Sequence, residues 1–235
     1  ASRRVGRNRR HSRHYKKSTR GQRVIVDIYA PQGYGYLGDT LSNEELAPIK
    51  KEIDNIFLNK VNAKPMNNKL VGHIRKEYAL TESHDWIEQV VIKRAIKYEE
   101  YFGYLDNNNT LTDSLPLKLS GAWVNFQNKH EFNPLHNHSG IFSFVIWIQI
   151  PYTQDSELKF SPGVNSTDNM SGKFQLVYNN PLGGITLDSC GDLMQEGNII
   201  LFPACMYHCV YPFYSSDEYR ISVAGNFALD SRSSK

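Results

Sequence analysis

His136 and His138 stand one residue apart in Asn133-Pro134-Leu135-His136-Asn137-His138-Ser139-Gly140, just ahead of the aromatic and β-branched run at 141–150. Side chains at i and i+2 share a face of a strand, so both imidazoles can turn toward one point. His208 lies seventy positions further on, closing Leu201-Phe202-Pro203-Ala204-Cys205-Met206-Tyr207-His208, and Arg220 follows in Tyr219-Arg220-Ile221-Ser222-Val223. Imidazole suits iron, zinc, copper and nickel, and two or three histidines that leave coordination positions open are the pattern of a catalytic metal. Arg220 and Ser222 alternate onto one strand face, where a guanidinium and a hydroxyl form a fork for a carboxylate. Taken singly each residue has a plainer reading. A lone strand histidine is usually just hydrogen-bonded, and Arg220 could pair on the surface with Asp217 or Glu218. The four together favour a site.

Such a constellation needs a β scaffold, and the second half of the chain supplies one. Residues 117–127, 141–150, 173–178, 184–188, 198–202, 207–211 and 219–227 are short β-rich runs separated by Gly, Pro, Asn and Ser, the texture of a sandwich or barrel. The polar, glycine-bearing segment 161–172 between two of them reads as a mobile loop or lid. The first half is helical. Ser42-Asn43-Glu44-Glu45 has the form of a capping box, and Leu46, Ile49, Ile53, Ile56 and Phe57 predict an amphipathic helix to about residue 61. Ile87, Val91, Ala95, Tyr98 and Phe102 make one stripe of a second helix over 83–102, stopped by Gly103. Both helices, within about 42–103, are expected outside a sheet. Residues 24–31 read as a strand and 67–78 as a short extended segment.

Charge divides the chain in two. Residues 1–23 hold ten Lys or Arg and no acid, leaving 17 bases against 24 acids, a net of −7, for the rest. The predicted organisation is thus a basic arm over 1–23 and one domain over 24–235, long enough to bury a sizeable core. Arginines without hydrophobic periodicity predict a segment disordered on its own, able to dock on nucleic acid or a large assembly through counterion release. Three cysteines without C-x-x-C spacing argue against a disulfide framework. Val24-Ile25-Val26 is too short for a signal peptide, and the run 144–148 is far below the ~20 residues of a membrane span. The expectation is a soluble intracellular protein, with incorporation in a virion one way to use the arm.

His-x-His entering an aromatic strand, a distal His after Leu-Phe-Pro, and then Arg-x-Ser resemble the iron(II)- and 2-oxoglutarate-dependent oxygenases, in particular small members frequent in tailed bacterial viruses. The likeness runs from about Leu46 to Phe227 and stops short of the arm. It implies a mainly β fold with flanking helices, a double-stranded β-helix (jelly roll, cupin-like). It also implies Fe(II) held by His136 and His208, and 2-oxoglutarate held at its distal carboxylate by Arg220 and Ser222, with Trp123, Asn125 and Phe144 as pocket walls. Dioxygen and 2-oxoglutarate would be consumed together to oxidise a substrate C–H bond, the cofactor supplying the hard chemistry and the protein the orientation. One position departs from the pattern: most of this superfamily has His-x-Asp, whereas His138 stands here. A neutral imidazole in place of a carboxylate leaves the site one unit more positive. His138 could be the third metal ligand, as in three-histidine cupins; alternatively Glu131 or Asp192 could supply an oxygen, or His138 could stand behind the ligands.

Two other functions fit some of these residues. A structural component of a large particle could keep the same fold with a vestigial site, since fold does not entail function. A cupin-type three-histidine metalloprotein would need no 2-oxoglutarate, but the glutamate that follows His-x-His in the cupin pattern is missing from 139–150.

Overall fold

A computed structural model describes residues 13–14, 27–28, 34–105, 117–180 and 183–230. The basic arm, except Arg13 and His14, falls outside the described residues, as does most of the expected strand at 24–31. What is described of these segments is a two-residue antiparallel ladder between β1 (Arg13–His14) and β2 (Asp27–Ile28).

The helices form where periodicity and caps place them. In α1 (Asn43–Phe57) the Ser42 hydroxyl accepts from the Glu45 N–H while the Glu45 carboxylate accepts from the Ser42 N–H, satisfying two donors that a helix start leaves orphaned. The helix ends at Phe57, earlier than predicted, because Asn59 takes a φ of 53°, which asparagine tolerates. α2 (His84–Phe102) ends at Gly103, whose φ of 57° few other residues accept. Its start is closed from α1. The buried Glu52 carboxylate accepts from the N–H groups of Thr81, Glu82 and Ser83 and from the Ser83 hydroxyl.

Two antiparallel sheets face each other. The larger has six strands in the order β3 (Leu37–Thr40), β10 (Asn198–Pro203), β7 (Phe142–Gln149), β12 (Arg220–Leu229), β5 (Leu117–Gln127), β4 (Lys76–Ala79). The smaller runs β6 (Asn133–His136), β11 (Tyr207–Val210), β8 (Phe174–Asn179), β9 (Ile185–Ser189). The fold is mainly β with a few helices, the jelly roll expected. Strand alternation divides the apolar side chains between two cores. Phe142, Phe144, Ile146 and Ile148 of β7 point outward with Val124, Ile199, Leu201 and Val223, and Ile49, Ile53, Ile87, Val91, Ala95 and Tyr98 of the helices cover them. Val145 and Trp147 point the other way, and with Ile200, Phe202, Phe174, Leu176 and Val210 they fill the space between the sheets.

Two local features differ from expectation, and a third segment, the loop at 161–172, makes defined hydrogen bonds. Residues 67–78 open as a 3-10 turn (Asn67–Lys69) and become strand only at β4, where Tyr78 and Ala79 lie opposite Val124 and Trp123 of β5. A short helix α3 (Gln154–Phe160) follows Pro151, capped by Thr153 and Ser156; seven residues show no periodicity to read. Segment 161–172 is tied at both ends, by the Asn169 amide on the Ser161 hydroxyl and by the Gly172 N–H on the Pro212 carbonyl. The three cysteines are free, and no described helix is long and apolar enough to cross a membrane.

Candidate metal centre and adjoining cavity

β6 and β11 pair so that His136 lies directly opposite His208. His138 comes from the turn beyond β6, where its N–H donates to the Ala204 carbonyl at 2.8 Å. A loop brings it in, not strand alternation, yet the outcome is the one the spacing predicts. The ring centroids of His136 and His208 are 4.2 Å apart, those of His136 and His138 4.9 Å, and those of His138 and His208 5.0 Å. One ring nitrogen from each lies within 4.8 Å of the others, and among the described residues this is the group arranged to hold a metal.

Local hydrogen bonds fix which nitrogens face the centre. Nδ1–H of His136 donates to the Pro134 carbonyl at 2.6 Å and Nδ1–H of His208 to the Met206 carbonyl at 3.1 Å, which leaves Nε2 of each ring with its lone pair free. Burial holds all three imidazoles in the neutral, ligating form. It lowers the pKa of His136, and together with repulsion from His136 it lowers His138 to about 4 and His208 to about 3. A metal–imidazole bond of ~2.1 Å requires ligating nitrogens within ~4.2 Å of one another, close to the separation found here. The residues fit a metal. Glu131 and Asp192 do not join them. Glu131 accepts from the N–H groups of Arg75 and Asn128, and Asp192 sits in a 3-10 turn.

The fork expected at Arg220 and Ser222 is differently arranged. Arg220 is 1 % exposed, and all five of its N–H donors are taken: Nε and Nη2 by Gln127 Oε1, Nη1 by the Tyr152 hydroxyl and the Gly172 carbonyl, and Nη2 also by the Tyr211 carbonyl. Asp217 pairs with Lys129 instead. Every hydrogen-bond acceptor of Arg220 is neutral, and the buried Glu157 carboxylate acts on its partner Tyr152. Beside Arg220, one row crosses the inner face of the large sheet in register, Glu77 on β4, Asn125 on β5, Ser222 on β12 and Trp147 on β7. Asn125 Nδ2 donates to the Ser222 hydroxyl, which keeps its own proton to give, while Asn125 Oδ1 and Trp147 Nε1 are buried without partners. At the end of the row away from Glu77, the Ser222 hydroxyl and Trp147 Nε1–H are donors left free beside a buried guanidinium, a combination that fits a carboxylate.

A cavity of about 240 Å³ opens on His136 and His138. Trp123 lines it as predicted and packs edge-on toward His138 at 6.1 Å. Phe144 does not. Its position on β7 turns it outward, where it is buried in the helix-side core against Phe227. Sequence reading passed over Glu77, Asn133, Gln127 and Trp147. Glu77 sits between Lys76 and Tyr78 and reads as surface until β4 is known to add to the sheet edge; strand parity would have turned it inward.

Residues 121–226 match the family model described as "Putative 2OG-Fe(II) oxygenase". Among solved structures, a prolyl-4-hydroxylase from Pseudomonas putida aligns with 83% of this chain and 92% of its own, at 12% identity and a TM-score of 0.50. An oxidoreductase of the 2OG-Fe(II) oxygenase family from Burkholderia pseudomallei aligns over 83% and 85% at 14% identity and 0.47. HygX from Streptomyces hygroscopicus, solved with nickel and 2-oxoglutarate bound, aligns over 84% and 84% at 11% identity and 0.47. At 12% identity the likeness to the prolyl-4-hydroxylase is one of fold. A comparison with curated proteins gave no match.

Proposed function

We propose that this chain, whose residues 121–226 carry the signature of the 2OG-Fe(II) oxygenases, is an oxygenase that uses Fe(II), 2-oxoglutarate and dioxygen to oxidise a C–H bond, as hydroxylases do. The observation that carries the reading is the convergence of three neutral imidazoles, two with tautomers fixed by backbone carbonyls, with His136 and His138 lining a cavity.

His136, His138 and His208 would hold the metal, with His138 taking the position of the carboxylate in His-x-Asp. When bound, iron and 2-oxoglutarate together activate dioxygen, a chemistry that no protein side chain supplies. The chain's own residues bind, orient and shield. The Ser222 hydroxyl and Trp147 Nε1–H would donate to 2-oxoglutarate, with Asn125 holding Ser222 in place. Arg220, its donors already spent on Gln127, Tyr152, Gly172 and Tyr211, would act on the distal carboxylate as a fixed positive charge. A free fork is not needed for that, because Coulombic attraction in a buried site is strong without direct contact. Trp123 and the inter-sheet core keep water from the reacting atoms.

The test is anaerobic addition of Fe(II) and 2-oxoglutarate. A visible charge-transfer band is expected only when both bind the same centre, and succinate should form once oxygen enters. Metal binding without the band would instead favour the three-histidine cupin reading.

A further inference from the structure

We propose that the cavity beside the histidines recognises its substrate by a cationic, hydrogen-bond-donating group, an alkylammonium or alkylguanidinium, held between the Glu77 carboxylate and Asn133 Oδ1. That this group belongs to a substrate rests on the oxygenase reading; that the pocket binds such a group does not.

Three observations converge. First, Glu77 is the one carboxylate among the residues lining the cavity, is 1 % exposed, and has a single described donor, Asn67 Nδ2 at 3.2 Å. Second, Asn133 lines the same cavity, and its Oδ1 is buried with no partner. Third, a Cβ on Gly72 would fall against both Asn133 Oδ1 and Glu77 Oε1, so these two oxygens abut the small space that the glycine leaves open. Two acceptors meeting at a desolvated point cost free energy until a donor arrives, and a carboxylate wants a charged one. Trp123 lines the same cavity, and an aromatic ring attracts a cation placed over its face.

The surrounding charges agree. Lys69 lines the cavity but is exposed and forms no described ion pair with Glu77. Glu131 is the other charge acting on Glu77, and burial, reinforced by that repulsion, raises the Glu77 pKa to about 7. An arriving cation would keep Glu77 ionised, so its affinity should climb as pH rises toward 7 and level off above. An anionic group would meet the opposite field.

The experiment uses the full chain loaded with Zn(II), without 2-oxoglutarate or oxygen, and follows the Trp123 indole resonance by NMR during titration with butylammonium, butylguanidinium, 1-butanol or butyrate. Saturable shifts are expected with the two cations, about tenfold tighter than with butanol, and no saturation with butyrate. Glu77→Gln should abolish the preference for cations while Zn(II) affinity, measured by chelator competition, stays at the wild-type value. Gly72→Ala, which puts a methyl where the oxygens meet, should weaken the same cations and serves if the first variant does not fold. Equal binding of butanol or butyrate would overturn the proposal, as would cation preference surviving in both variants. So would loss of Zn(II) in Glu77→Gln, which would assign the carboxylate to the metal. Failure of 2-oxoglutarate to bind the metal form would sink the oxygenase reading and leave this result standing.

Discussion

The histidines and Glu77 perturb the molecule in opposite directions, and pH separates them. His138 and His208, held at about 4 and about 3 by burial, bind fewer protons folded than unfolded. Their share of stability is complete above the ordinary histidine value and is lost as pH falls below ~6.5. Glu77, raised to about 7, binds more protons when folded, so its share is complete below ~4.5 and is lost as pH rises to 7. Glu77→Gln should therefore raise Tm at pH 8 relative to wild type and leave a pH profile with the acid-side slope alone, as thermal melts across pH 4–8 would record. At the same scale, His208→Ala should weaken Co(II) or Zn(II) binding by about a hundredfold or more, beyond what outer partners of a metal site cost. Metal content of the purified variant checks this, and retention of metal would mean that His136 and His138 have another partner.

At the scale of elements, two buried carboxylates and one guanidinium tie separate pieces of the fold together. Glu52 caps α2 from α1, so Glu52→Ala strips four donors of their acceptor and should cost about 2–4 kcal/mol in urea unfolding. Glu157 of α3 does the same for the backbone of Tyr214 and Ser215. Arg220 joins β12 to β5 through Gln127, to Tyr152, and to Gly172 at the end of the 161–172 segment. Arg220→Lys keeps the charge but offers three donors in a different geometry. It should lose about 2–4 kcal/mol of stability yet retain measurable 2-oxoglutarate affinity, whereas Arg220→Met should lose both. Equal 2-oxoglutarate affinity in Lys and Met variants, read from the charge-transfer band, would remove Arg220 from the cofactor's binding.

For the whole molecule, the acidic body and the basic segment ahead of it should act as separate objects. Removing residues 1–23 should leave Tm and metal binding unchanged and abolish any salt-dependent retention on nucleic acid, where the wild-type slope of log affinity against log salt should be steep. A flat slope would assign the arm to protein contacts.

The sequence by itself determined the strand-rich class, both long helices with the Ser42 cap and the Gly103 stop, and it singled out His136, His138 and His208 as candidate ligands. These follow from short-range rules: strand parity, 3.6-residue periodicity, the αL stop at Gly103, and ligands flanking adjacent turns. Only the tertiary structure decided which way buried side chains face when a strand is covered on both sides. Phe144 and Trp147 belong to one continuous apolar run, yet parity sends Phe144 to the helices and Trp147 to the space between the sheets. Tertiary pairing likewise took up the donors of Arg220 through groups 9 to 93 residues away, and turned Glu77 into the cavity by adding β4 to the edge of the large sheet. The reason is physical: a polar side chain's role depends on who its partners are, and those partners are chosen by long-range strand register, which no local pattern encodes.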